Sequence, residues 1–410
     1  MNRKWVNAFL ILIVTIAVFA GFQNASSVVF TCGAVIFIIL VARFWNIHIF
    51  DKLVITRSLS KRKVFPGQVL FYQIKIENRK FLPVVWLRIR DKISPGLSFV
   101  NKKFIFNLFG GQGLFQDVFN LRWYEILRKR YKFYAERRGI YSLGRGDLLY
   151  YGLLGLFSNR KNDTEQIELT VYPRIVSVSM PASGYSRLFG TNMMHGWIYR
   201  DQLNRIGVRP YQPGDSFKQI NWKTSARHLQ LESDIYKPSF DKEVHFFLDS
   251  SCRHGWHSQN DYNRMELAVI CTASLMEKYF KEGFQVGFYT NFSVKKSRSA
   301  DRYTVIEADK NPAQREKILT TLARLQSFST VDMSRILKQK KQGLSSGTMV
   351  IIVSINSGYE MNRILRYYNR FYRLLMVQVG GERVELPEIN CLYLSDEEEW
   401  HEIEKIELIS

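Results

Sequence analysis

Residues 348–353 read Thr-Met-Val-Ile-Ile-Val, and this run decides the fold of the carboxyl-terminal half. It has no polar face, so a strand formed by it must be covered on both sides, as a central parallel strand is. Moving outward, Glu243–Asp249, Gln285–Tyr289, Leu374–Val379 and Cys391–Leu394 are further short apolar strands. Between them Met265–Gly283, Pro312–Leu325 and Tyr359–Tyr372 carry the helical period, with Pro312 at a helix start and Gly283 as a stop. Ser395-Asp-Glu-Glu-Glu399 predicts a last helix with acids at its positive end. Strands alternate with helices, so residues 240–410 read as an α/β domain with a mainly parallel sheet. Such sheets bind ligands beyond the carboxyl ends of their strands, which makes Asp249-Ser250-Ser251 the candidate site.

Upstream, residues 176–239 hold two compact strings, Arg209-Pro-Tyr-Gln-Pro-Gly-Asp215 and Ile220-Asn-Trp-Lys-Thr-Ser-Ala-Arg227. Pro213-Gly214 predicts a turn, with Gly214 free to take positive φ. Asp215 is then placed to cap a short helix over Ser216–Trp222. Ile220 and Trp222 are apolar anchors, and Arg209 and Arg227 are planar donor forks suited to Asp215 or to a carbonyl.

Residues 53–175 alternate with period two. In Val69–Glu77, Leu70, Tyr72, Ile74 and Ile76 share one face, and Val84–Arg90 repeats the pattern. Pro66-Gly67, Asn78-Arg79 and Ser94-Pro95-Gly96 are turn signals, and strands are also predicted over 103–108, 113–120, 127–135 and 166–172. An antiparallel, sandwich-like domain follows. Arg128–Arg138 interleaves basic and aromatic residues. A strand accounts for it, with Tyr131 and Phe133 inward and Arg130, Lys132 and Tyr134 outward; an anionic membrane surface or a plain solvated face suits the basic side better than nucleic acid does, with an acidic protein partner as the remaining alternative.

At the amino terminus, Trp5–Phe22 and Val28–Val41 are two uncharged apolar runs joined by the polar turn 23–27. Their lengths predict a two-helix transmembrane hairpin over residues 1–50. Arg3 and Lys4 precede it and Arg43, Lys52 and Arg57 follow it, which places both ends and the rest of the chain in the cytosol. Trp45 is an interface anchor.

Net charge sharpens the division. The whole chain carries +21, of which +14 falls in residues 53–175 and none in residues 240–410. Four scattered cysteines exclude a disulfide scaffold. There is no P-loop, GxGxxG, HExxH or GxSxG string. His254 and His257 follow Cys252 but lack a matching second pair, so a solvated loop explains them better than a metal site or nucleophile.

The string carried by Arg209, Tyr211, Gly214, Asp215, Ile220, Trp222, Ser225, Ala226 and Arg227 resembles the signature of the bacterial domain-of-unknown-function 58 family. Arg137-Arg138-Gly139-x-Tyr141-x-Leu143-Gly144 and Leu154-Gly155-Leu156-Phe157 resemble further family elements, although Gly152-Leu153 stands where the family often has Asp-Pro. The resemblance implies a von Willebrand factor A-like α/β domain and a place beside MoxR-type AAA+ ATPases and transglutaminase-like membrane proteins. It also implies a Mg²⁺ loop of which only a degenerate form remains. Asp249 and Ser251 fit it as metal ligands, Arg253 replaces a serine, Thr330 is a candidate for the second loop, and Ser354–Ser357 supplies no acid. The expected fold class is thus multidomain: transmembrane hairpin, β-sandwich-like domain, signature linker, α/β domain. The expected protein is a bacterial plasma-membrane adaptor without enzymatic activity or cofactor. A cell-envelope scaffold and a hydrolase using Asp249 or a histidine are the alternatives.

Overall fold

The computed structural model describes residues 3–23, 25–100, 105–106, 113–152, 157–181, 200–213, 215–238, 243–251, 259–292, 303–325, 331–340, 343–344, 348–355, 359–384 and 386–409. The chain forms two compact units, Met1–Pro173 and Arg174–Ser410.

The first unit begins with α1 (Arg3–Phe22) and α2 (Ser26–Ile47). Among the described residues one helix, α2, is long and apolar enough to cross a membrane; the apolar described stretch of α1 is Val6–Phe22. The expected pair of spans is therefore corrected to one candidate span. Phe30, Phe37, Ile38 and Phe44 of α2 are exposed, as a lipid-facing surface requires.

Eleven strands follow: β1 (Leu53–Leu59), β2 (Lys63–Val64), β3 (Leu70–Asn78), β4 (Val84–Ile93), β5 (Leu97–Phe99), β6 (Ile105–Phe106), β7 (Gly113–Leu121), β8 (Ile126–Ala135), β9 (Gly139–Tyr151), β10 (Ser158–Asn162) and β11 (Gln166–Val171). One sheet has the order β1-β3-β8-β5, and the other β2-β11-β9-β4-β7-β6 with β10 beside β9. Their inner faces share one core that includes Tyr72, Ile74, Leu87, Ile89, Phe115, Phe133 and Leu143. The alternation in β4 breaks where the sequence pattern continued it. A bulge between Val84 and Leu87 lets both side chains face the core, with Trp86 outward at φ 56°.

A buried ion cluster ties the sheets together. The guanidinium of Arg57, on β1, donates to both carboxylate oxygens of Asp91, on β4, at 2.7–3.2 Å. It also reaches Asp163 at 2.7 Å and Glu165 at 3.2 Å, and the Tyr72 hydroxyl donates to Asp91 at 2.7 Å. Both Arg57 and Asp91 side chains are fully buried. Gly144 and Gly146 pass so close to Glu165 and Arg90 that an added Cβ would meet a backbone oxygen at 2.4 and 1.6 Å.

The second unit is built on a mixed sheet: β15 (Glu243–Asp249), β16 (Gln285–Thr290), β17 (Thr304–Asp309), β18 (Met349–Ser354), β19 (Arg373–Val379) and β20 (Asn390–Leu394). Their order is β17-β16-β15-β18-β19-β20; five strands are parallel and β17 runs antiparallel to β16. The remaining helices are α3 (Trp222–His228), α4 (Gln259–Lys281), α5 (Pro312–Arg324), α6 (Met333–Lys340) and α7 (Tyr359–Phe371). Residues 265–276 of α4 are buried all round, because the helix lies between the sheet and a short pair, β12 (Ser177–Ser179) with β21 (Lys405–Glu407). Helices α6 and α7 cover the other face around Phe247, Tyr289 and Ile352.

No helix opens at Ser395; residues 395–404 form bends and turns leading into β21. The signature segment, 176–239, holds regular structure of its own. It forms a separate antiparallel ribbon, β13 (Arg200–Pro210) with β14 (Glu232–Pro238). Among the described residues the fold class is therefore seven α-helices, one of them a candidate span, with several antiparallel and mixed sheets.

Removing one partner of the buried ion cluster leaves the others charged and dry. Arg57→Met should cost about 3–5 kcal/mol, read as a lowered denaturation midpoint of the full chain in detergent, with Arg160→Met, an exposed pair with Asp147, nearly neutral.

Candidate functional site

The signature residues fold into a small platform on the β13–β14 ribbon. Pro210 pairs with Glu232, and the Tyr211 amide donates to the Leu231 carbonyl at 2.8 Å, which closes the intervening loop at its base. Arg209 Nη2 donates to Asp215 Oδ1 at 2.6 Å, and the Gln212 amide donates to Asp215 Oδ2 at 3.1 Å. That backbone bond, aided by Arg209, holds the Asp215 carboxyl below its ordinary range. Asp215 thus shapes the turn and does not cap a helix. The cap of α3 is Asn221, whose Oδ1 accepts from the Thr224 amide at 3.0 Å while its Nδ2 donates to Asp234 at 2.7 Å. An Asn directly before the first helical residue is the sequence signal that would have found it.

The motif residues divide by exposure. Ile220 and Ser225 are buried, and the Ser225 hydroxyl accepts from the Glu232 amide at 2.9 Å to lock α3 onto β14. Trp222, expected as an inward anchor, is 66% exposed; Phe217 is 74% exposed and Leu229 91%. Leu229 also holds a left-handed φ of 55° at the end of α3, costly for a side chain with a Cβ. Tyr211 stacks against Phe217 with ring centroids 6.2 Å apart. Ala226 and Arg227 are exposed. Lys218, Lys223 and Arg227 lie on this surface with no hydrogen bond or ion pair among the described residues. Arg227 does not join Asp215. Gly214 lies outside the described residues.

The second predicted site is the carboxyl end of β15, where the strand order reverses between β16 and β18. Asp249 is enclosed and its carboxylate is ringed by donors. Oδ1 accepts from the Ser251 amide (3.0 Å), the Ser251 hydroxyl (2.6 Å) and Asn291 Nδ2 (2.9 Å); Oδ2 accepts from the Ser354 hydroxyl (3.0 Å). Asn291 also accepts from the Ser250 amide and hydroxyl and donates to the Val331 carbonyl. Burial pushes the Asp249 carboxyl up against the pull of these donors, and Asp332, which caps α6 through the Ser334 amide, adds to the rise.

Asn291 and Asp332 escaped the sequence reading. Each is a single polar residue at an element end, meaningful only once the strand order is known. Arg253, His254, His257 and Thr330 lie outside the described residues. The hard-oxygen set of Asp249, Ser251 and Ser354 is the chemistry a Mg²⁺ ion uses, but in this arrangement the lone pairs of Oδ1 are taken by protein donors. A cation there would face the amide hydrogens of Asn291, so the described residues do not fit a bound ion as they stand.

Residues 207–408 match the model of a family described as "Protein of unknown function DUF58". Over this segment, just under half of its length, the chain is similar to the DUF58 family. A curated relative, "Uncharacterized protein YeaD" of Bacillus subtilis (strain 168), is 23% identical over 296 residues, 70% of each chain. Among solved structures, the CARDB domain of a Pyrococcus furiosus protein in complex with di-metal ions is similar at 13% identity and a TM-score of 0.21, over 30% of this chain and 96% of that one. A cohesin module from a Clostridium perfringens family 33 glycoside hydrolase is similar at 12% identity and 0.21, over 29% and 96%. Overlaps this low assign no shared fold. The DUF58 match takes in both the platform and the strand-end cluster.

The pH dependence of the cluster follows from its burial. A carboxyl whose folded value is raised binds its proton more tightly in the folded chain, so its penalty is absent in acid and grows as pH rises through and above the ordinary carboxylate range. Asp249→Asn keeps an oxygen for Ser251 and Asn291 and removes the charge. Its melting temperature relative to the unsubstituted chain should therefore climb between pH 4 and pH 8; a difference flat with pH would contradict the assignment.

Proposed function

We propose that this chain is a membrane-anchored, non-enzymatic adaptor whose DUF58 platform captures an acidic partner protein, and that the partner is a MoxR-type AAA+ ATPase. One observation carries the reading: exposed Phe217, Trp222 and Leu229 sit among the unpaired cations Lys218, Lys223 and Arg227. Aromatic anchors ringed by charge are how protein interfaces concentrate binding energy, and three cations without internal partners suit a complementary acidic face. The Arg209–Asp215 and Asn221–Asp234 bonds hold this surface rigid before a partner arrives, which lowers the ordering cost of binding. The ATPase class comes from the family resemblance and the acidity of the partner from the charges.

The chain would act at the bacterial plasma membrane. Lys52, Lys61, Arg62 and Lys63 follow α2 closely, and positive residues flanking a span stay on the cytosolic side. The exposed basic face of β8, with Arg128, Arg130 and Lys132, suits the anionic inner leaflet.

The test is recovery of the ATPase with the tagged full chain from membranes in mild detergent. Trp222→Ala should lower recovery about 30-fold, the equivalent of about 2 kcal/mol for an interface anchor, and the triple change Lys218→Glu, Lys223→Glu, Arg227→Glu should abolish it. Equal recovery by all three proteins would refute the adaptor reading.

A further inference from the structure

The sandwich exposes a second apolar surface, at the end where α2 enters it. Trp45 lies in the last turn of α2, and its Nε1 donates to the Pro83 carbonyl at 3.1 Å. That bond sets the β3–β4 loop alongside the final turn of the helix. Lys80, in the same loop, donates to the carbonyls of His48 (2.8 Å), Ile49 and Asp51 (2.9 Å), and the Arg79 amide donates to the Lys52 carbonyl at 3.0 Å. The β7–β8 loop is held beside it, because Asn78 Nδ2 donates to both the Leu82 and Arg122 carbonyls and the Tyr124 amide to the Lys80 carbonyl.

These two loops carry large aromatic residues outward. Phe81 (70% exposed) and Trp123 (58%) stack with centroids 5.3 Å apart and planes 3° from parallel. Tyr124 is 67% exposed and Trp86 47%. Two of the four stand in unfavourable backbone conformations, Trp86 at φ 56° and Tyr124 at φ 51°. Bulky residues adopt the left-handed region only where something over-determines it. Trp86 stands beside the bulge on the face opposite the buried Leu87 and Ile89, and Asn120 Oδ1 accepts from the Trp86 amide at 2.8 Å to fix it.

We propose that Phe81, Trp86, Trp123 and Tyr124 form a foot that sits in the headgroup layer of the bilayer crossed by α2. The proposal rests on reading α2 as a membrane span. A 22-residue helix is about 33 Å long and the hydrocarbon core about 30 Å thick, so the last turn of α2, and the loop bonded to it, lie at the water–lipid boundary. Tryptophan and tyrosine concentrate at that depth because an apolar ring and a polar edge are both satisfied there. The occupant is a lipid surface and not a protein, because the patch is continuous with the end of the span and is fastened to it by main-chain and side-chain bonds. With the helix and the foot both seated, the sandwich has two attachments and cannot swing about residues 48–52.

The experiment is electron paramagnetic resonance of nitroxide labels on the full chain, with its four native cysteines replaced, in vesicles of phosphatidylcholine alone and with three-tenths phosphatidylglycerol. Labels go on Phe81→Cys, on Phe37→Cys in α2, and on Val69→Cys just before the opposite end of β3; all three positions are exposed. Collision with oxygen should exceed collision with a water-soluble nickel chelate at Phe37 and, to a smaller extent, at Phe81, in both lipids, with the reverse at Val69. Phe81 behaving like Val69 while Phe37 stays lipid-like would overturn the foot and leave the span. Phe37 behaving like Val69 would overturn both. If cysteine replacement disturbs the fold, the natural chain serves. Its emission in bilayers brominated near the headgroup should lose a quenched component in Trp123→Phe, and an unchanged quenched fraction would overturn the proposal.

Discussion

An ammonium group sunk against three carbonyl oxygens fixes the geometry of the first unit. Lys80 closes the end of α2 by donating to the carbonyls of His48, Ile49 and Asp51, where a helix end leaves acceptors unsatisfied and a cation is favoured. Burial pulls its pKa down to about 8, with Asp51 opposing the shift. Trp45 to Pro83 and Asn159 to the Asn46 carbonyl complete the joint. Helix α2 therefore does not end in a flexible tether. It continues into the sandwich, and the Arg57–Asp91 cluster carries the constraint from one sheet to the other.

Two buried polar groups of the second unit are closely surrounded by partners. Around Asp249, the donors of Ser251, Asn291 and Ser354 meet a carboxylate that water cannot reach. Farther along the sheet, His245 lies between Glu243 and the Tyr289 hydroxyl, which in turn donates to Glu307; burial depresses this histidine despite its acidic neighbour. By contrast, the signature platform spends its internal bonds on holding a turn and a short helix, and presents aromatic rings and unpaired cations outward. That division is the physical basis for reading the strand-end cluster as architecture and the platform as the binding surface.

The sequence made local elements legible where one rule governed them. The alternation of β3 and the apolar run of β18 follow directly from which faces are covered, and Asn311-Pro312 marks the start of α5 as capping predicts. It failed where tertiary partners decide. Two apolar runs looked alike, and among the described residues one of them, Ser26–Ile47, is long and apolar enough to cross a membrane. Ser395–Glu399 has a helix-start composition, yet its chain is drawn toward the β12–β21 pairing. Asp215 has the right residue type for a cap, but Gln212 and Arg209 claim its oxygens first. Trp222 looked like an anchor by hydrophobicity alone, and a buried Ser225 turns it outward. Asn291 and Asp332 carried no spacing signal, because strand order brings them to Asp249 from distant parts of the chain.

The central claim, that the DUF58 platform is a partner-binding surface on a membrane-anchored chain, is tested most directly by photocrosslinking in intact cells. A benzophenone amino acid at position 222 is compared with one at Val118, an exposed position of the sandwich. The account predicts one dominant adduct at 222, to an AAA+ ATPase with an acidic contact face, and none to that protein at 118. The same adducts at both positions, or none at 222, would contradict it.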